Sequence, residues 1–134
     1  MKKIILVALL VTLCEFVFGI ITCGGMFNWI YSIEPTTVWK PMESTLVPGF
    51  YIFSIVLNLI FVKIYTVLSK GIDGTKITKG LKFAAYVWAL GILPGMFATY
   101  YFMTVATTVV IYWIIVGLIN LLLKGLIVSA IFEK

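Results

Sequence analysis

Apolar positions in this chain fall in long unbroken blocks, not in the short alternations of a strand or the one-sided stripes of a soluble helix. Four blocks, at about residues 4 to 24, 46 to 68, 82 to 103 and 108 to 132, are apolar almost throughout. Each supplies the roughly 20 residues with which an α-helix crosses about 30 Å of hydrocarbon. Polar residues gather between them. Residues 25 to 45, GMFNWIYSIEPTTVWKPMEST, mix aromatics, prolines and charges and predict a loop on a membrane surface, with Trp29, Tyr31 and Trp39 in an interfacial aromatic belt. Residues 69 to 81 carry glycines, Asp73 and the lysines Lys70, Lys76 and Lys79, and predict a short basic loop. A tight Thr-Val-Ala-Thr-Thr turn joins the last two blocks. The expected architecture is all-α and polytopic, four transmembrane helices in one bundle forming a single domain over 1–134.

Composition strengthens that reading. The chain is 63% hydrophobic and 11% charged, whereas soluble domains are about 45–50% apolar and about 25% charged. The net charge of +5 would point to nucleic acid in a soluble protein, but these lysines flank hydrophobic blocks, where they set topology and attract anionic headgroups. The bilayer is the expected partner, and nucleic acid is excluded. Histidine is absent, as is arginine, which removes imidazole metal ligands, bidentate phosphate clamps and the commonest general base. No nucleophile stands beside a base in a recognisable pattern, so no catalytic residue, metal site or cofactor is assigned. Cys14 and Cys23 lie on opposite faces of one helix at about 100° per residue and cannot bridge each other. The opening MKKIILVALLVTLC looks like a secretory signal, but Glu15 inside the run and the lack of a small-x-small cleavage site favour a retained first helix.

Lysine placement predicts orientation. Lys2, Lys3, Lys70, Lys76, Lys79 and Lys82 fall on one side, and Lys40, offset by Glu34 and Glu43, on the other, so both termini should be cytoplasmic. The stretch VLNLIFVKIYTVLSKG in the second block resembles GLINLLLKGLIVSAIF in the fourth, sharing Asn-Leu and a lysine a few residues on. That would be a parallel duplication of two hairpins, although leucine-rich sequence also produces such matches by composition alone.

Glu15 is the residue that demands explanation. Measured from the cytoplasmic ends at about 1.5 Å per residue, Glu15, Asn58 and Asn120 all lie about 18 to 20 Å deep, and Pro94 frees a carbonyl at a similar level. On helix one, Ala8, Thr12, Glu15, Gly19 and Thr22 form a small, polar stripe of the kind that packs against other helices. Ala84, Trp88, Gly91, Gly95 and Ala98 do the same on helix three, where Pro94 predicts a kink and Gly91 and Gly95 a small-xxx-small contact. On helix four, Trp113, Gly117, Asn120 and Lys124 share a face. A charge at bilayer centre costs about 2.5–3.5 kcal/mol on insertion scales, so Glu15 needs a partner. Lys124 is the expected one, too deep to snorkel with ease, with Asn120 and Asn58 in support, whereas Lys63 sits closer to its end. Such a cluster is either interhelical glue or a carboxylate that titrates as a substrate passes. Met26, Met42, Met96 and Met103 gather in the outer half; their spacing has no motif, and they read as gap-fillers rather than a Cu(I) site.

Four helices in a short chain with a carboxylate in helix one make the outline similar to the small multidrug resistance transporters. That resemblance rests on Glu15 and implies proton-coupled antiport by a dimer. The long first loop, the strong lysine bias, Lys63 and Lys124 depart from that family. The pieces VWKPME, KGLKFAAYVWALGILPG and YWIIVGLINLLLKGLIVSAIF resemble small bacterial four-helix membrane proteins of unassigned function, which implies the bacterial inner membrane and no particular activity. The expected function is a non-enzymatic accessory or structural subunit, docked on other membrane subunits or self-associated. The alternative is a proton-coupled transporter of small molecules or ions that uses Glu15.

Overall fold

The computed structural model describes residues 1–39 and 47–133. Among them are four helices long and apolar enough to cross a membrane: α1 Lys2–Gly25, α2 Pro48–Gly71, α3 Lys76–Phe102 and α4 Thr107–Phe132. No strand occurs among the described residues. The architecture is an all-α four-helix bundle, with both described chain ends at one end of it (the terminal end) and the α1–α2 connection at the other (the loop end).

The basic loop expected over 69–81 is shorter than its composition predicts. Helix α3 begins at Lys76, where Thr75 accepts a hydrogen bond from the Thr78 backbone N–H at 3.3 Å, a side-chain cap that satisfies one of the helix's free donors. Lys76 and Lys79 therefore sit on helix and not in coil. Glycine and lysine mask a helix start that the threonine alone announces.

Helix α1 packs between α2 and α4, and α3 lies against α4. The core fills the terminal half of the bundle: Val7, Ala8 and Val11 of α1, Val62 and Tyr65 of α2, Phe83 and Ala84 of α3, and Leu121 and Val128 of α4 are all buried. Phe83 stacks against Phe61 and Tyr65, ring centres 5.0 and 5.2 Å away, and so joins α3 to α2. Towards the loop end, Phe50, Ile52 and Phe53 of α2 and Leu90, Phe97 and Phe102 of α3 are exposed.

The closest helix crossing is glycine on glycine. A Cβ on Gly125 would strike the Gly80 carbonyl and come within 2.9 Å of the Ala84 methyl, and one on Gly80 would strike Gly125 and Ser129. Gly80-xxx-Ala84 and Gly125-xxx-Ser129 are thus the small-xxx-small faces that bring α3 and α4 together. Gly91 and Gly95, expected to make that contact, do not: a Cβ on either meets nothing within 4 Å. The cause lies just before them. Residues Trp88–Ile92 form a π-helical turn in which Leu93 N–H bonds back to Trp88 O. This wide turn accommodates Pro94, which has no N–H to give. Each residue added to a turn rotates the following face by about 100°, so the stripe that starts inward at Ala84 and Trp88 has turned outward by Gly91.

Both ends of the bundle are fastened. At the terminal end Glu133 accepts from Lys79 and from Tyr65, each at 3.2 Å, and Lys3 donates to Ile131 O at 2.9 Å beneath the Phe132 ring. Burial alone would raise the Glu133 carboxyl, but the hydrogen bonds from Lys79 and Tyr65 prevail and hold it below its ordinary 4.5. At the loop end, Trp39 donates to Tyr31 O at 3.0 Å and Trp113 to the Tyr31 hydroxyl at 3.2 Å, with the three rings in edge and tilted contact. Burial, with Cys23 beside it, pushes the Tyr31 hydroxyl up to about 12. Trp29 is exposed, and Lys40, Met42 and Glu43 lie outside the described residues.

Candidate functional site

The carboxylate of Glu15 collects donors from two other helices. Lys124 Nζ of α4 stands 2.6 Å from Oε1, and Asn120 Nδ2, one turn earlier on the same helix, 3.4 Å from it. From α2, Ser54 Oγ and Asn58 Nδ2 each donate to Oε2 at 2.6 Å. Asn58 Nδ2 also reaches Thr12 Oγ1 at 3.0 Å, and Thr12 in turn donates to Ala8 O at 2.8 Å. The structure therefore brings together Glu15, Asn58, Asn120 and Lys124, and adds Ser54 and Thr12. Gly91, Pro94 and Gly95 lie on α3, apart from this cluster.

Helix geometry explains which residues converge. Asn120 and Lys124 are four apart and share a face, as do Ser54 and Asn58 and, at three apart, Thr12 and Glu15. Asn58 and Lys63 are five apart, about 140° away from each other, and Lys63 is exposed. The two Asn-Leu segments thus send both asparagines to one carboxylate but only one lysine.

Electrostatically the site is a compensated pair inside an apolar bundle. The Lys124 side chain is 8% exposed and that of Glu15 26%, so neither charge is fully hydrated, and each is stabilised chiefly by the other. Charge-assisted hydrogen bonds of this length are the strong kind. Four donors nearly exhaust the acceptor positions of one carboxylate. One group is left over: Asn120 Oδ1 is buried and has no hydrogen-bond partner among the described residues. The amide orientation is fixed all the same, because turning it over would set oxygen against the Glu15 carboxylate.

Two grooves between the helices are predominantly apolar and are not lined by Glu15. One runs between the loop-end half of α3 and α4, past Leu93, Pro94, Phe97 and Ile114. The other lies between the terminal end of α2 and α3. Cys14 and Cys23 are both free thiols, and among the described residues no group of three His, Cys, Asp or Glu side chains is placed to hold a metal ion.

Of the site, Ser54 is the member that sequence reasoning missed. Its signal was present, one helical turn before Asn58 on the same face. Comparison with protein-family models, with curated proteins and with solved structures returns no match, and what stands of the sequence likenesses is the architecture itself, a small bundle of four membrane-length helices.

Proposed function

We propose that this chain is a non-enzymatic integral membrane subunit that works through the surfaces it presents to other membrane helices, with both termini cytoplasmic. The observation that carries the reading is the saturation of Glu15 by Lys124, Asn120, Ser54 and Asn58. A carboxylate committed to four donors from α2 and α4 fixes the mutual positions of three helices. Its protein chemistry is that of a fastener, and the exposed helix faces are left to make contacts. The excess of lysines at the terminal end supports the orientation.

Proton-coupled transport is the second reading, favoured by one observation: the unused acceptor Asn120 Oδ1 beside a Glu15 side chain that is 26% exposed. A water or a substrate donor at that atom would give Glu15 an exchange partner. Two measurements on the chain at native expression level separate the readings. The subunit reading expects native electrophoresis to find the 15.0 kDa chain in an assembly, and expects Glu15→Gln to lower its stability without any pH-driven cation uptake by the wild type in liposomes. A chain that stays monomeric, with uptake that Glu15→Gln abolishes at unchanged stability, overturns it.

A further inference from the structure

The groove between α2 and α3 has a volume of about 630 Å³. Its walls are Ile64, Leu68 and Ile72 on one side and Tyr86, Val87 and Leu90 on the other, and its floor opens at Gly91. The helices meet through the Phe61, Tyr65 and Phe83 rings, and the groove runs on from Phe83 to Gly91, into the π-helical turn of α3. Leu68, Tyr86 and Leu90 are exposed along it by 53%, 56% and 82%. Between Lys82 and Gly91 the groove follows about 13 Å of helix, all of it within membrane-length spans.

One end of this apolar trough is basic. Lys82 lies one turn before Tyr86 on the same face, with Nζ donating to Asp73 O at 3.0 Å, and Lys70 adjoins the lining residues Gly71 and Ile72. Lys79 is paired with Glu133; Lys70, Lys76 and Lys82 make no ion pair among the described residues. Bulk lipid touches every exposed helix face, but a concave face with unpaired lysines at headgroup level differs from the rest. From this juxtaposition we infer that the α2–α3 groove is a binding site for an anionic phospholipid, one acyl chain lying along it towards Gly91 and the phosphate held by Lys70 and Lys82, with Lys76 nearby. The absence of a side chain at Gly91 then has a role: it keeps the far end of the trough open.

Native mass spectrometry of the whole chain, released from mixed micelles holding phosphatidylglycerol and phosphatidylcholine with identical acyl chains, tests this. The expected result is one phosphatidylglycerol retained per protomer in at least tenfold preference to phosphatidylcholine. Each basic residue near a headgroup is worth about fivefold in affinity, so Lys70→Gln with Lys82→Gln should weaken retention roughly 25-fold, whereas Lys2→Gln, on α1, should leave it unchanged. Gly91→Phe should block the chain's path and abolish the bound lipid, with unfolding stability as the control for its fold. Equal retention of both lipids, or phosphatidylglycerol retention untouched by the paired lysine substitutions or by a folded Gly91→Phe, overturns the assignment.

Discussion

Breaking the Glu15–Lys124 pair should cost stability from either side, but only the loss that strands the carboxylate should ease on acidification. The two charges are 2.6 Å apart and only 26% and 8% exposed, and removing one partner of such a pair costs about 3–5 kcal/mol because the other charge is stranded. Lys124→Met strands the carboxylate, which can escape by taking up a proton. From the ordinary glutamate value of 4.5, that escape costs about 3.4 kcal/mol at pH 7 and about 0.7 kcal/mol at pH 5, at about 1.36 kcal/mol per unit. The penalty of Lys124→Met is therefore capped near these figures and shrinks on acidification. Glu15→Gln strands the ammonium instead, a charge that acid does not neutralise, so its penalty does not shrink as pH falls. Together the two substitutions leave no charge, and replacing a whole buried pair is often neutral, so the double variant should lie within about 1 kcal/mol of wild type at both pH values. The assay is reversible unfolding by SDS in mixed micelles at pH 5 and pH 7, followed by circular dichroism. A Lys124→Met penalty that is flat in pH, or a double variant as weak as its worse parent, would contradict the pairing.

Three further outcomes are expected. Gly125→Ala drives a methyl into the Gly80 carbonyl and the Ala84 methyl and should cost about 1–3 kcal/mol in the same assay, whereas Gly91→Ala, with open space around it, should be neutral or stabilise by up to about 1 kcal/mol; equal effects would contradict the helix crossing. Because the folded-state Glu133 carboxyl lies below 4.5, its contacts with Lys79 and Tyr65 stabilise the terminal end above that value and are lost as pH falls through the lower one. Amide exchange in the last turn of α4, corrected for intrinsic rate, should accelerate between pH 6 and pH 3 in wild type and be pH-independent in Glu133→Gln. Difference titration of phenolate absorbance between wild type and Tyr31→Phe should place the Tyr31 transition near 12, and a transition at the ordinary 10 would show that the Tyr31–Trp39–Trp113 cluster is open to water.

Much of this arrangement was legible in the sequence because membrane-length apolar blocks leave few places for polar groups to go. Glu15, Asn58 and Asn120 share a depth that residue counting gives, with Lys124 one turn nearer the terminal end, and spacing sets Asn120 and Lys124 on one helix face. Phase was harder. The inward stripe on α3 reads as continuous from Ala84 to Ala98 at ideal periodicity, but the π-helical turn at Trp88–Ile92 shifts it, and no composition rule reports a shift of one residue. The same small-xxx-small spacing occurs at Gly80 and Ala84, where the helix is regular and the contact forms. The sequence hides it because Gly71, Gly74, Lys76 and Lys79 make the segment before Lys82 look like a loop. Once Thr75 is recognised as a cap, those lysines fall on a helix whose other face is Gly80, Phe83 and Ala84, all buried.

The partners of the central pair stand 109 residues apart, on the first and last helices. Ribosomes add about 5–20 residues per second, so Lys124 is made on the order of ten seconds after Glu15. For that interval α1 must stay in the bilayer with a carboxyl group that lacks its counter-charge and has only the Ser54 and Asn58 donors once α2 is in place, an expense of up to about 2.5–3.5 kcal/mol that its mean hydropathy of 2.8 offsets. Only when α4 enters does the Glu15 carboxyl meet its counter-charge, so the charge balance of α1 is settled by the helix made last of these four.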